Sequence, residues 1–345
     1  MLSSNWRLII AGIFSAAIFF GAGAHAQEVT LKLHTLVPPV AAPIQAFLIP
    51  WIEKVQKASE GRLRIDLYPS MQLGGRPQQL VDQVRDGVVD IVWTVAGYTP
   101  GRFVKTEVFE LPFVHTNPVA TNLALQDFAE RHGDEYADFK TLLLHVHAGV
   151  AFHSYEPIRG VDDVVGMKIR TPSRTGGWMI EAMGATPVGA PVTKVPEMLS
   201  KRVVDAVIIP YEIAKALKTH EMVDYHTTLE DPKYPRPSTS VFLFAMNQGS
   251  YDALPADLKK VIDDHSGRNI ARWAGEIWLA IEEPGEKAAA ASGELIRMVP
   301  AEVAKFRRQV EKPVHDRWIA EVKDRGIDGA QLIREARELI DRYSN

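Results

Sequence analysis

The chain has 345 residues, 46% of them hydrophobic, a formal net charge of -4 and no cysteine. The lack of cysteine excludes a disulfide framework and thiolate metal sites, so stability has to come from a large apolar core. Mild acidity argues against nucleic acid or an anionic membrane surface as partner, and the length exceeds what one core usually serves, which predicts two domains.

Residues 1–26 read as a signal peptide. Arg7 supplies the positive start, Leu8 to Phe20 is apolar, and Ala24-His25-Ala26 is a small-x-small cleavage site. Cleavage after Ala26 places the mature chain in the periplasm, and no second long apolar run follows.

Val29 to Leu33 alternates as a strand, Ile44 to Ala58 carries apolar residues at helical spacing until Gly61, and Arg62 to Tyr68 alternates again. This opening β-α-β unit requires a parallel strand pair and a right-handed crossover. Pro77 then begins a helix bearing Leu80, Val81 and Val84. Gly74-Gly75 before it lacks the Gly-x-Gly-x-x-Gly and Lys-Ser/Thr patterns of a phosphate loop. The Asp86-Gly87 turn leads into a buried strand, Val88 to Trp93. Its Val-Val-Asp-x-Val pattern recurs at Val203 to Val207, again after a short helix, which suggests two lobes of similar build with a cleft between them.

Between the copies, Asn117-Pro118 opens a helix and Thr141 to Val146 reads as a strand. His145 and His147 share one face of it and are a candidate metal pair, but no third ligand stands at metal spacing, so they read as satisfied strand histidines. In Gly166-Met167-Lys168-Ile169-Arg170-Thr171-Pro172, alternation turns Arg170 away from the core face and Pro172 ends the ladder. Arg170 therefore stands at the carboxyl end of a strand, where open α/β sheets bind ligands, and its guanidinium offers a planar fork to a carboxylate or phosphate. The competing reading is an interdomain ion pair.

Past Pro210-Tyr211 and a helix to about Leu217, Asp231 to Pro237 has the composition of an interdomain connection. Ser240 to Met246 reads as a buried strand. From Pro255 to Pro284 the apolar residues stay in helical phase, predicting one helix too long for a single lobe. A strand near Leu295 to Val299 and helices at 301–324 and 329–343 complete the chain.

The order of motifs resembles the solute-binding proteins of tripartite ATP-independent periplasmic (TRAP) transporters, of DctP type. The matching segments are Leu67-Tyr68-Pro69-Ser70 with Gln72-Leu73-Gly74, Asp86-Gly87-x-x-Asp90, Glu110-Leu111-Pro112-Phe113, Gly166 to Arg170, Val203-Val204-Asp205, and Met246-Asn247 with Leu254-Pro255. The resemblance implies an α/β fold of two lobes, joined by a hinge, braced by a long lobe-spanning helix and closing over a small acid. Lobe I is taken as 27–147 plus 239–279 and lobe II as 148–238 plus 280–345. In that family the arginine of the Gly-x-Lys-x-Arg strand grips the ligand carboxylate, and Arg170 holds that place. Rough matching puts Leu36, Val95, Val150 and Ile209 where binders of hydroxylated sugar acids carry polar groups. A sugar acid or dicarboxylate would leave polar groups unpaired there, at about 1 to 3 kcal/mol each.

The expected ligand is thus an apolar or aromatic monocarboxylate, 2-oxo and 2-hydroxy acids included. Trp93, Trp178 and Tyr211 are candidate walls and His153 a polar contact, whereas Tyr98, Phe113 and Phe242 are assigned to the core. The resemblance implies delivery to TRAP membrane subunits by a monomer, with no cofactor, no metal and no nucleic acid partner, and no enzymatic activity. The alternative is a periplasmic metal-dependent hydrolase of a small carboxylate using His145 and His147, although neither Gly-x-Ser-x-Gly nor His-Glu-x-x-His occurs.

Overall fold

The structure, a computed structural model, describes residues 29–344, and the segment read as a signal peptide lies outside them. Strands β1 (Val29–Thr35), β2 (Leu63–Tyr68), β3 (Ile91–Val95) and β4 (Phe139–Val146) come first in the chain. They are followed by β5 (Ala151–Ser154), β6 (Lys168–Thr171), β7 (Thr186–Gly189) and β8 (Ala206–Ile209). The last are β9 (Tyr225–Leu229), β10 (Val241–Asn247) and β11 (Glu294–Met298).

They form two sheets, one in the order β2-β1-β3-β10-β4 and the other β11-β9-β5-β8-β6-β7. The opening unit is parallel as expected, with Leu31 opposite Ile65 and Leu33 opposite Leu67. β3 is buried at every residue because it lies between β1 and β10 and is covered on both faces, so its sequence shows no alternation. In both sheets a returning strand runs antiparallel to its neighbours: β10 beside β3 and β4, β5 beside β8 and β9.

Strands β5 and β9 carry no clear hydrophobic pattern, and sequence reading passes over both. Their polar residues are buried in pairs instead, His153 lying opposite His226 in the ladder with 2.8 Å between the two Nδ1 atoms. His153 Nε2 meets the carbonyl of Ile209 at 3.2 Å and must donate to it. Its Nδ1 then accepts from His226, and burial keeps both rings neutral.

Among the described residues the chain passes from one sheet to the other three times. It crosses through His147 to Val150 and returns through the proline-rich segment after β9. The third passage is the long helix Arg268–Ser292, which ends just before β11. At about 1.5 Å per residue it spans roughly 37 Å, running from the first lobe, where Asn122 donates to its Ala271 carbonyl, to the second, where its Glu282 accepts from Tyr211 and Glu212.

The structure corrects the single helix expected from Pro255 to Pro284. Ala256–Asp264 is a separate helix, and Gly267 breaks the register with φ +55° and ψ -131°, a conformation open essentially to glycine. The Gly267 N–H leaves the helix to meet the carbonyl of Leu142 at 2.6 Å. Pro284 neither stops nor ends the second helix but sits inside it; the carbonyl four residues earlier belongs to exposed Ala280, where water can serve it. One residue on, Gly285 passes the backbone of Tyr211 so closely that a Cβ would lie 2.3 Å from its carbonyl oxygen.

The last helix, Gly329–Tyr343, does not belong to lobe II as the resemblance implies. It packs on the first-lobe helix Pro118–His132, with Arg131 and His132 both on Glu335 and the Tyr343 hydroxyl donating to Asp127 at 2.6 Å. Charged periodicity cannot say which lobe a solvated helix returns to.

Candidate functional site

Between the sheets lies a small cavity, with about 40 Å³ open to the centre of a water molecule. Leu36, Val37, Trp93, Val95, Tyr98 and Phe242 line it from the first lobe, and Arg170, Val192, Ile208, Ile209, Glu212 and Ile213 from the second. His147 and Val150 of the first crossing complete the wall together with Ser240.

Arg170 dominates its electrostatics. The side chain stands one residue before the end of β6, is 1% exposed, and has no carboxylate partner among the described residues. Its Nε and Nη2 donate to the carbonyl of Ala190 at 2.8 and 2.6 Å, and Nη1 to that of Ile208 at 3.3 Å. Those bonds set the plane of the guanidinium and use three of its five N–H groups. Two are not taken by backbone carbonyls, and on that side the guanidinium shares a side-chain hydrogen bond with the hydroxyl of Tyr98. That hydroxyl accepts from the Val192 N–H at 2.9 Å, so its own hydrogen is available to a ligand. Burial pushes the guanidinium below its ordinary value and Tyr98 only partly offsets this. A buried cation without a counter-ion is costly, and a carboxylate arriving in the cavity would supply one.

The rest of the wall is apolar. Trp93 stacks on Phe242 at 4.8 Å and 11°, and its indole N–H donates to His145 Nε2 at 2.8 Å. Burial pushes the His145 ring down to about 3, so it is neutral with its proton on Nδ1. His147 is likewise held neutral, and because its Nδ1 accepts from the Gly149 N–H at 2.9 Å, Nε2 carries the proton. Both rings therefore have a ligating nitrogen already engaged, and among the described residues no group of three or more His, Cys, Asp or Glu is placed to hold a metal.

Of the residues singled out from sequence, the fold brings Leu36, Trp93, Val95, Val150, Arg170 and Ile209 onto this one cavity. Trp178, Tyr211 and His153 do not line it. Trp178 faces an outer groove shared with Arg174 and Glu181, and Arg174 and Arg317 lie over its ring. Tyr211 points the other way along the start of its helix, edge-on to His153 and beneath Arg236. His153 is committed to His226 and the Ile209 carbonyl. Tyr98 and Phe242, assigned to the core, line the cavity, as do His147, Ser240 and Glu212. Phe242 lies opposite Val95 in the ladder, so both turn to the same face, and only the strand register reveals it. Arg159, Arg174 and Lys194 are paired with Glu294, Glu107 and Glu197 outside the cavity.

The two lobes touch around the cavity. Gly97 approaches Ser173 so that a Cβ would lie 2.7 Å from the serine Cβ, and Arg174 of the second lobe binds Glu107 of the first at 2.6 Å. Glu110 accepts from the Val241 N–H at 2.8 Å and, across the lobes, from the Thr175 hydroxyl at 3.3 Å. Burial pushes its carboxyl up to about 7, with neighbouring Glu107 adding to the rise. The folded chain thus holds a proton that the unfolded chain releases, so this group makes stability fall as pH rises from about 4.5 to about 7. Glu110→Gln should keep the acceptor and remove the titration. Urea unfolding at pH 5 and pH 7.5 is expected to show the wild-type protein losing about 2 kcal/mol more than the variant. Equal losses would assign the proton elsewhere.

Comparison with known proteins agrees with this architecture. The model of the family DctP, bacterial extracellular solute-binding protein, family 7, matches residues 36–321. A crystal structure of a marine metagenome TRAP solute-binding protein from an unidentified microbe, specific for aromatic acid ligands and in complex with 3-hydroxybenzoate, gives a TM-score of 0.90 at 42% identity. The match covers 92% of this chain and 100% of that one. A TRAP solute-binding protein of Rhodoferax ferrireducens with copurified benzoate gives 0.89 at 40% identity, over 92% and 98% of the two chains. The outer membrane transporter protein TsaT of Comamonas testosteroni is 28% identical over 332 residues, 95% of each chain. With its two sheets, long bridging helix and family match over most of its length, the chain belongs to bacterial extracellular solute-binding protein family 7, the DctP-type binding proteins of TRAP transporters.

Proposed function

We propose that the protein captures a small aromatic monocarboxylate, with the carboxylate on Arg170 and Tyr98 and the ring against Trp93, Phe242, Leu36, Val95, Val150 and Ile209. The observation that carries this is the buried Arg170 guanidinium, with two N–H groups that no backbone carbonyl takes and no counter-ion among the described residues, at the wall of an otherwise mainly apolar cavity. The aromatic acids bound by the two similar solved proteins support the same chemistry. The lining offers Arg170 as its one cation among the described residues, so a second carboxylate would lack a partner. The chain acts as a monomer in the periplasm after cleavage behind Ala26, performs no chemistry on its ligand, and hands it to TRAP membrane subunits. The lobes meet at 147–148, 238–239 and 279–280, and the chain returns to lobe I for its last helix, Gly329–Tyr343. The hydrolase reading is disfavoured because His145 and His147 each commit a ring nitrogen to Trp93 or Gly149.

A thermal-shift and calorimetry panel tests this. Benzoate at a hundredfold excess over its Kd stabilises the native state by about 2.7 kcal/mol, a rise of roughly 5 °C for a chain of this size. Succinate and sialic acid are expected to produce no shift. A shift with either of these and none with benzoate would overturn the proposal, and turnover of the acid during incubation would restore the hydrolase.

A further inference from the structure

Glu212 lies three residues beyond the end of β8, in the first turn of the helix Tyr211–Ala216, and lines the cavity that holds Arg170. It is 3% exposed, and its Oε2 is buried without a hydrogen-bond partner among the described residues. Its neighbour Glu282 is in the opposite position. Glu282 accepts from the backbone N–H groups of Tyr211 and Glu212, both at 3.2 Å, and from Arg236 Nη2 at 3.1 Å. The local donors thus serve Glu282 and leave Glu212 with none.

We propose that Glu212 is a specificity-determining residue of the cavity, donating a hydrogen bond from its carboxyl O–H to an uncharged oxygen on the ligand body, so that the site favours hydroxy- or oxo-substituted aromatic monocarboxylates over the bare ring. This rests on the aromatic monocarboxylate reading above and adds a second recognition point to it.

Two adjacent buried carboxyls do not both ionise: burial pushes Glu282 up as well, but Arg236 and two backbone N–H donors pull it back, so Glu282 ionises in preference to Glu212. Burial, with the charge of Glu282 beside it, pushes the Glu212 carboxyl well above the ordinary range. A neutral carboxylic acid is the one form of this side chain that can donate. A hydroxyl or keto oxygen satisfies it, a methyl group cannot, and a second ligand carboxylate would meet the repulsion of Glu282. Glu212 also walls off an outer groove formed by Val40, Lys215, Ala280 and Pro284, so it stands between the cavity and solvent on the hinge side.

The test is calorimetry of the wild-type protein with benzoate, 3- and 4-hydroxybenzoate, and their near-isosteres 3- and 4-methylbenzoate, repeated on Glu212→Leu and Glu212→Gln. One of the hydroxy acids is expected to bind about tenfold tighter than the matching methyl acid. Glu212→Leu should erase that ratio, while Glu212→Gln, whose amide N–H still donates, should keep most of the preference. Equal affinity for hydroxy and methyl acids at both positions in the wild-type protein would overturn the proposal without any variant having to fold. A ratio unchanged in Glu212→Leu would also overturn it. Benzoate binding with no hydroxyl preference would leave the monocarboxylate reading standing and remove this one, whereas no binding of any benzoate would remove both.

Discussion

Arg170→Ala is expected to weaken benzoate binding by about 2 to 5 kcal/mol, roughly 30-fold to several-thousand-fold at about 1.4 kcal/mol per decade. The magnitude follows from burial: the carboxylate would enter a closed cavity and find neither charge nor fork to replace its water. The carbonyls of Ala190 and Ile208 lose their donor as well, so some loss of stability should accompany the loss of affinity. Calorimetry on the folded variant separates the two effects. Arg170→Lys is expected to recover little, because one ammonium cannot hold the Ala190 carbonyl and present two parallel N–H groups to a ligand. An affinity for benzoate within about threefold of wild type, under about 0.7 kcal/mol, would dismiss Arg170 as the anchor.

Arg236→Ala should be the most damaging change away from the cavity, lowering stability by about 3 to 5 kcal/mol. Arg236 stands on the return crossing between the sheets, 7% exposed, pairs with Glu282 of the long helix and lies 5.0 Å above the ring of Tyr211. Against its other side lies the first crossing: a Cβ on Gly149, which has φ +105°, would come within 2.4 Å of the Arg236 Cβ. One side chain therefore ties both crossings to the helix that braces the lobes. Its removal leaves Glu282 buried without a cation, beside Glu212. Adding Glu282→Gln should restore much of the loss, since the amide oxygen can still accept a backbone N–H and carries no charge. Urea unfolding of the two single variants and the double variant would measure this coupling. Simple additivity of the two losses would show that the pair contributes no mutual interaction.

The parts of this arrangement legible in the sequence are those set by local pattern. Arg170 is marked by alternation in Met167 to Arg170 and by Pro172, which together place a guanidinium at a strand end. The opening β-α-β unit follows from periodicity alone and forms with the parallel register that the pattern requires. Proline-rich Asp231 to Pro237 reads as a connection and does lie between strands of different sheets. The apolar character of the cavity at Leu36, Val95, Val150 and Ile209 came from resemblance to a family, because no local rule separates a cavity valine from a core valine.

Spacing along a few consecutive residues sets the α/β class and marks Arg170, and the repeated Val-Val-Asp-x-Val pattern points to two lobes. Which aromatics face the cavity depends on how the elements pack. Phe242 and Tyr98 look like core in a buried run, and Trp178 and Tyr211 look like walls, yet the strand register and the directions in which their elements leave the sheets reverse those roles. The break at Gly267 belongs to the same class, because apolar phase continues straight across it and only the bond to Leu142 takes the chain out of the helix. Glu212 is the furthest from any local signal. A glutamate in the first turn of a short helix ordinarily faces water, and it becomes a buried, unpartnered acid here only because the long helix lays Glu282 across the same N–H groups and takes the donors that Glu212 would have used.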